Sequence, residues 1–245
     1  MTNPGRHRFW RPESFAPLIL NIAKEIGWIV RGNSVISAIV VVLVLVTGAG
    51  TAAADHGGPR HGAAAVSKPN EQLTTKWWQT YMGISSGGAF DRCDLGHGRV
   101  VFLAGTTGGP AVRSCTIPAN GSVLVPLINF ECSAAENGVS SFAKLKVCTD
   151  EVVRDFTDLL LIVDGVLIRR PIGLRVQSHL FHFTAVVGNP FGIDPAVRTP
   201  SVSDGYWALI GPFREGVHTV SFGGSYPPAE FTTRADYTLT VRSGR

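Results

Sequence analysis

Residues 35–54 carry no charged side chain, and this stretch constrains the chain more than any other. Its core, 35–46, is almost entirely Val, Ile, Leu and Ala. Thr47-Gly48-Ala49-Gly50 then interrupts the apolar run, and Ala52-Ala53-Ala54 fits a small-x-small cleavage site. A positive flank, an apolar core of this length and a small-residue site together form a secretory signal. The chain is therefore expected to be exported, with Asp55 as the first mature residue. The 34 residues before the core are long for such a signal. A downstream start near Val30, with Arg31 supplying the charge, accounts for that. The alternative is an uncleaved membrane anchor over 35–54, since about 20 uncharged residues just span a bilayer. Gly and Thr in the second half make a poor span, so cleavage is the expectation. Upstream, Leu18, Ile22, Ile26 and Ile29 share a helical face, which reads as accidental amphipathicity rather than a membrane-surface helix.

This division changes the meaning of the net charge of +4. Residues 1–54 hold four Arg, one Lys and two Glu, which is +3. Residues 55–245 hold 13 Arg, four Lys and 16 Asp or Glu, which is +1. A nucleic-acid partner needs a basic stripe on the folded part; none is expected. All four cysteines, Cys93, Cys115, Cys132 and Cys148, follow the signal. An even number in an exported chain implies disulfides. Nearest-neighbour pairing, Cys93–Cys115 and Cys132–Cys148, closes loops of about 20 residues, each worth about 3 kcal/mol. No C-x-x-C or correctly spaced His accompanies them, so zinc is not expected.

The organisation expected is a signal over 1–54, a flexible Gly- and His-containing leader over 55–70, and one domain over 71–245. Residues 71–84 read as a helix whose Leu73, Trp77, Trp78, Tyr81 and Met82 form one apolar side. Strand patterns follow at 100–104, 122–128, 159–163, 166–168, 179–184, 206–210, 217–222 and 237–241. Pro126 places its strand at an edge or bulge. Asp164-Gly165 offers a two-residue hairpin turn. A second helix is expected over 149–160. Short strands separated by turn signals, without βαβ alternation, predict a mainly β fold: a β-sandwich, jelly-roll or Ig-like, with one short N-terminal helix packed on it.

A series of short motifs adds a resemblance. Trp77-Trp78, Phe102-Leu103-Ala104-Gly105, Arg113-Ser114-Cys115-Thr116-Ile117-Pro118-Ala119 and Pro126-Leu127-Ile128-Asn129 stand in order. Val163-Asp164-Gly165, Ser203-Asp204-Gly205-Tyr206-Trp207 and Asp236-Tyr237-Thr238-Leu239-Thr240-Val241 follow. Over about 73–241 the chain resembles a loosely defined family of secreted, β-rich bacterial proteins. The resemblance implies secretion and a β-rich fold, and confers no activity. The family pattern has a Pro soon after the Trp-rich helix; here Gly83-Ile84-Ser85-Ser86-Gly87-Gly88 departs from it.

Two kinds of chemistry are legible. Glu131 and Asp204 could supply the carboxylate pair of a polysaccharide hydrolase, with Trp207 as a stacking surface and Asn129 beside them. Turn chemistry is the commoner role of Asn and Asp at such positions. Tyr206 and Trp207, adjacent on a strand, should face opposite sides. Gly83-Ile84-Ser85-Ser86-Gly87 matches a nucleophile elbow in letters, with Asp204 and His218 in triad order, but the elbow needs a strand before it and a helix after it. His179 and His182 should face apart on a strand. His56 and His61 lie in the leader. Asp150, Glu151, Asp155 and Asp158 lack the spacing of a calcium loop, and Asp164 belongs to its turn. No cofactor or metal is expected. The leading expectation is a secreted or envelope-associated non-catalytic binding protein for an extracellular glycan or envelope component, with Asn129, Glu131, Asp204 and Trp207 as candidate ligand contacts. The alternative is the hydrolase using Glu131 and Asp204.

Overall fold

Residues 231–242 alternate apolar and polar, and the computed structural model turns that alternation into a half-buried strand: Ala235, Tyr237, Leu239 and Val241 point inward, and Arg234 and Thr238 point to solvent. The structure describes residues 64–85, 89–195 and 198–243. The expected signal, the positions upstream of it and the leader up to 63 lie outside these residues.

In chain order the strands are β1 (Val66–Ser67), β2 (Gly96–His97), β3 (Val100–Phe102), β4 (Gly109–Pro118), β5 (Ser122–Ser133) and β6 (Thr157–Val163). They continue as β7 (Val166–Leu167), β8 (Arg175–Gln177), β9 (Phe181–Phe183), β10 (Thr199–Ile210), β11 (Gly216–Tyr226) and β12 (Phe231–Arg242). Sheet I has the order β1-β10-β5-β3-β2, with β8 and β9 also paired to β10. Sheet II has the order β4-β12-β11-β6-β7. Pairing is antiparallel except for β3 with β5 and β4 with β12. The two sheets pack as a sandwich. Val123, Val125, Leu127, Tyr206 and Ala208 of sheet I meet Leu161, Val163, Val220, Phe222 and Leu239 of sheet II. Each large apolar side chain buried here contributes about 1.5–3 kcal/mol.

A third layer covers the outer face of sheet I. Helix α1 (Glu71–Met82) starts where the Asn70 side chain accepts the Leu73 N–H at 3.0 Å, a cap worth about 1 kcal/mol. The expected apolar side of this helix is the buried one. Trp77, Trp78, Tyr81 and Met82 pack over Phe102, Leu124 and Trp207. Trp77 Nε1 donates to the Leu103 carbonyl at 2.8 Å, and the Tyr81 hydroxyl donates to that of Phe102 at 3.2 Å. Phe181, Phe183 and Ile193 complete the cover. Tyr206 and Trp207 do face opposite ways, Tyr206 into the sandwich and Trp207 under α1.

The structure differs from the sequence expectation at several places. The second helix, α3, spans Phe142–Val153 instead of 149–160. Ser141 Oγ accepts the Lys144 N–H at 3.3 Å and sets its start. Residues 157–160 are claimed by pairing with β11, so the sheet overrides local helix propensity there. A four-residue helix, α2 (Ala134–Asn137), follows β5 directly. β4 carries too much polarity and Pro to read as a strand, yet its whole length pairs in parallel with β12 from Thr233 to Arg242. The last part of the leader is not loose: Val66 and Ser67 pair with Ile210 and Leu209.

Other local signals hold. Asp164 and Gly165 turn the β6–β7 hairpin with positive φ. Pro126 sits at the β5–β10 register shift, where a missing N–H costs no ladder bond. The disulfides join Cys93 to Cys115 and Cys132 to Cys148, the nearest-neighbour pairing. The first ties the approach to β2 onto β4, and the second ties β5 to α3.

Candidate functional site

Antiparallel partners share a sheet face, and neighbours along a strand do not. Glu131 is directly opposite Ser203, so Asp204, the next residue, points the other way. The two candidate carboxylates therefore lie on opposite faces of sheet I. Neither sits in a loop, because β5 and β10 run through both positions. A glycosidase needs its two carboxyl groups flanking one bond. Glu131 and Asp204 cannot serve that role together, and the hydrolase expectation fails on this geometry.

Asp204 is fully buried on the side facing α3. Arg175 of β8 grips it with two N–H donors at 3.1 and 2.6 Å, and the same guanidinium reaches Asp150 of α3 at 2.7 Å. Gln177 Nε2 and the Gly205 N–H also donate to Asp204, at 3.1 and 2.7 Å. Hydrogen bonding to Asp204 raises the Arg175 pKa above its ordinary value and keeps the cation fixed. This network pins α3 and β8 to β10. The turn role expected for Asp204 survives only as its bond to Gly205. Gly205 itself is required: a Cβ there would stand 2.5 Å from the Cα of Asn129. Asn129 is half-buried opposite it, and Trp207 is wholly buried.

Glu131 is only 5% exposed, on the outer face of sheet I. Its Oε2 takes a short hydrogen bond from Ser201 Oγ, while Oε1 is buried without a partner. Burial pushes this carboxyl well above the usual glutamate range, and the neighbouring Glu136 carboxyl pushes it the same way.

The remaining sequence candidates are occupied elsewhere. Ser85 follows α1, not a strand, and Ser86 and Gly87 lie outside the described residues. His218 contacts Asp164 through Nδ1 at 2.8 Å and the Arg214 carbonyl through Nε2 at 3.1 Å, so no Ser-Asp-His chain forms with Asp204. The His179 ring meets Glu71 and stacks on Phe142. The His182 carbonyl accepts from Gln79. Of the acidic run, Asp150 bridges Arg175 and Arg154.

The sequence reading missed a depression of about 330 Å³ on the exposed face of sheet II. Pro110, Arg234, Gly223 and Leu160 form one row across four strands, and Asp158, Ser225 and Thr232 extend the wall. At Gly223 a Cβ would come within 2.2 Å of the Thr233 carbonyl oxygen, so the floor stays bare backbone. Beside it a bulge sets Asp158 and Leu159 of β6 against Gly224 alone. Asp158 takes a left-handed φ of 51° there. Bulges and left-handed non-Gly residues gather at functional sites. No aromatic ring lines the depression. The adjacent Arg234 guanidinium holds Asp236 below the usual carboxylate range, at 3.2 Å. The Gly-Gly pair inside a strand pattern was the one signal that could have marked this place.

Fold and cross-links define a disulfide-bonded β-sandwich protein with a third, helical layer. Structural disulfides belong to oxidising compartments, and no described helix is long and apolar enough to cross a membrane. No protein-family model and no curated protein matches the chain. Among solved structures, a chain from a structure titled "Structure of PbICP-C in complex with falcipain-2" is similar at a TM-score of 0.27 and 10% identity. That match covers 59% of this chain and 100% of the other. A likeness of that size transfers nothing to this chain.

Proposed function

We propose that this chain is a secreted or envelope-associated, non-catalytic binding protein whose ligand rests on the exposed face of sheet II. The observation that carries this reading is the depression with its glycine floor and strained Asp158 rim. The candidate groups Asp204, Glu131 and Trp207 of sheet I are shut away from solvent, whereas this face offers hydroxyls, one carboxylate and bare backbone to solvent. Such a surface suits a polar, hydroxyl-rich chain, such as an extracellular glycan or envelope polymer, held by hydrogen bonds rather than by ring stacking.

The test is retention of the secreted full chain on insoluble glycans and envelope fractions, with product analysis of the same mixtures. Wild type should be retained without releasing products. Asp158→Gly should weaken retention while leaving stability equal or higher by up to about 1 kcal/mol, because Gly adopts positive φ without strain. Equal retention of wild type and of Ser225→Trp, which fills the depression, would remove this face from the proposal.

A further inference from the structure

Sheet II ends on one side at β7, a two-residue edge strand that the Asp164-Gly165 turn folds back onto β6. The Ile168 N–H still donates to the Leu161 carbonyl at 2.9 Å, and the chain then leaves the sheet. Arg170 takes a left-handed φ of 60°, and a one-turn helix over Pro171–Leu174 follows. Ile168 and Leu174 pack against the sandwich core. Their neighbours do not. Val166, Leu167 and Ile172 are each more than half exposed, and Arg169 and Arg170 are exposed beside them. No Asp or Glu occurs from 165 to 193. Asp164 of the turn is engaged by the His218 ring and the Thr219 N–H. Arg92, Arg113, Arg154, Arg175 and Arg234 each pair with an aspartate. Among the described residues Arg169 and Arg170 have no such partner.

We propose that this β7 edge docks on an anionic phospholipid bilayer, with Arg169 and Arg170 against headgroup phosphates and Val166, Leu167 and Ile172 dipping into the boundary of the acyl chains. Two cations without counterions are attracted to a negatively charged lipid surface. Apolar side chains gain nothing from a dissolved polyanion, whereas the headgroup–acyl boundary takes them out of water. Both kinds of group on one protruding edge therefore favour a lipid surface over a soluble acidic polymer. An added strand from another protein is a poorer fit, because β7 offers only two residues of ladder. The docking is reversible, since a few side chains at the boundary hold far less tightly than a spanning helix. It goes beyond the ligand reading of sheet II and does not depend on it.

The test is co-sedimentation of the secreted full chain with vesicles of phosphatidylglycerol and phosphatidylcholine, compared with phosphatidylcholine alone. Wild type should partition onto the anionic vesicles and not onto the neutral ones, and added salt should weaken it. Arg169→Gln with Arg170→Asn should lower the partition coefficient about tenfold or more. Asn is used at 170 because it tolerates the left-handed backbone. Leu167→Ser with Ile172→Ser should lower it by about the same factor. Val112→Ser is the control: Val112 is 83% exposed on β4 at the far edge of sheet II, and its neighbour Arg113 is paired with Asp91. That variant should partition like wild type. Equal partition of wild type onto the two kinds of vesicle overturns the proposal without recourse to any variant. So does binding that survives the Leu167 and Ile172 pair unchanged, which would mark plain adsorption of charge. A dimer that these substitutions abolish, with no vesicle binding, would assign the edge to a second copy of the chain and overturn the proposal too. Retention on lipid-free insoluble glycan is read separately, so the two proposals fail separately.

Discussion

Sheets I and II are built from strands of similar length, yet they treat polar residues in opposite ways. Sheet I is covered on both faces, by sheet II and by α1 with its aromatic layer. Its central strands β5 and β10 are buried almost throughout. Polar side chains on them are cut off from water, and Asp204 and Glu131 answer that in two ways. Asp204 sits within a cage of Arg175 and Gln177 donors. Glu131 accepts from Ser201, and burial together with the neighbouring Glu136 pushes its carboxyl toward the neutral form. Among the described residues sheet II is covered on one face only, so β12 alternates and its polar residues meet water. Polar residues on the covered sheet are thus shut away from solvent, and many on the bare sheet stay exposed to it.

That contrast can be broken by substitution. The largest effect should come from Arg175→Met. It leaves Asp204 fully buried without its cationic partner, at a cost of about 3 kcal/mol or more, read from the denaturant midpoint. A loss below about 1 kcal/mol would mean that the network holds nothing together. Next comes the pH response of Glu131. Its folded-state pKa lies above the ordinary 4.5, so the folded chain retains a proton that the unfolded chain gives up. The stability this group contributes is complete below pH 4.5 and is lost as pH rises through the folded-state value. Tm of wild type should therefore fall with rising pH relative to Glu131→Gln, and parallel curves would show that Glu131 does not titrate with folding. The smallest effect belongs to sheet II: Thr238→Ala, on the bare face, should change stability by no more than about 0.5 kcal/mol. A larger loss would show that this face is covered after all.

The same contrast explains what could be read from the chain. β12 was legible because one buried face imposes strict alternation. The buried side of α1 was legible from the spacing of Trp77, Trp78 and Tyr81. β4 was not, because its edge position tolerates Pro110, Pro118 and exposed polar residues. The first half of β10 was hidden as well. Ser201, Ser203 and Asp204 look like loop residues until their partners Ser133, Glu131 and Phe130 are known.

The sequence by itself determined a signal-like N-terminus, a β-rich chain, the α1 face and the Asp164-Gly165 turn, and it favoured the nearest-neighbour disulfides that the structure contains. All of these depend on groups close together in the chain. Only the tertiary structure decided where the polar chemistry goes. A one-residue step along a strand reverses the face a side chain occupies. Register between β5 and β10, separated by more than sixty residues, therefore sent Glu131 and Asp204 apart and brought Glu131 to Glu136 instead. Local patterns carry no record of that register, because it is set by which faces the completed sandwich buries.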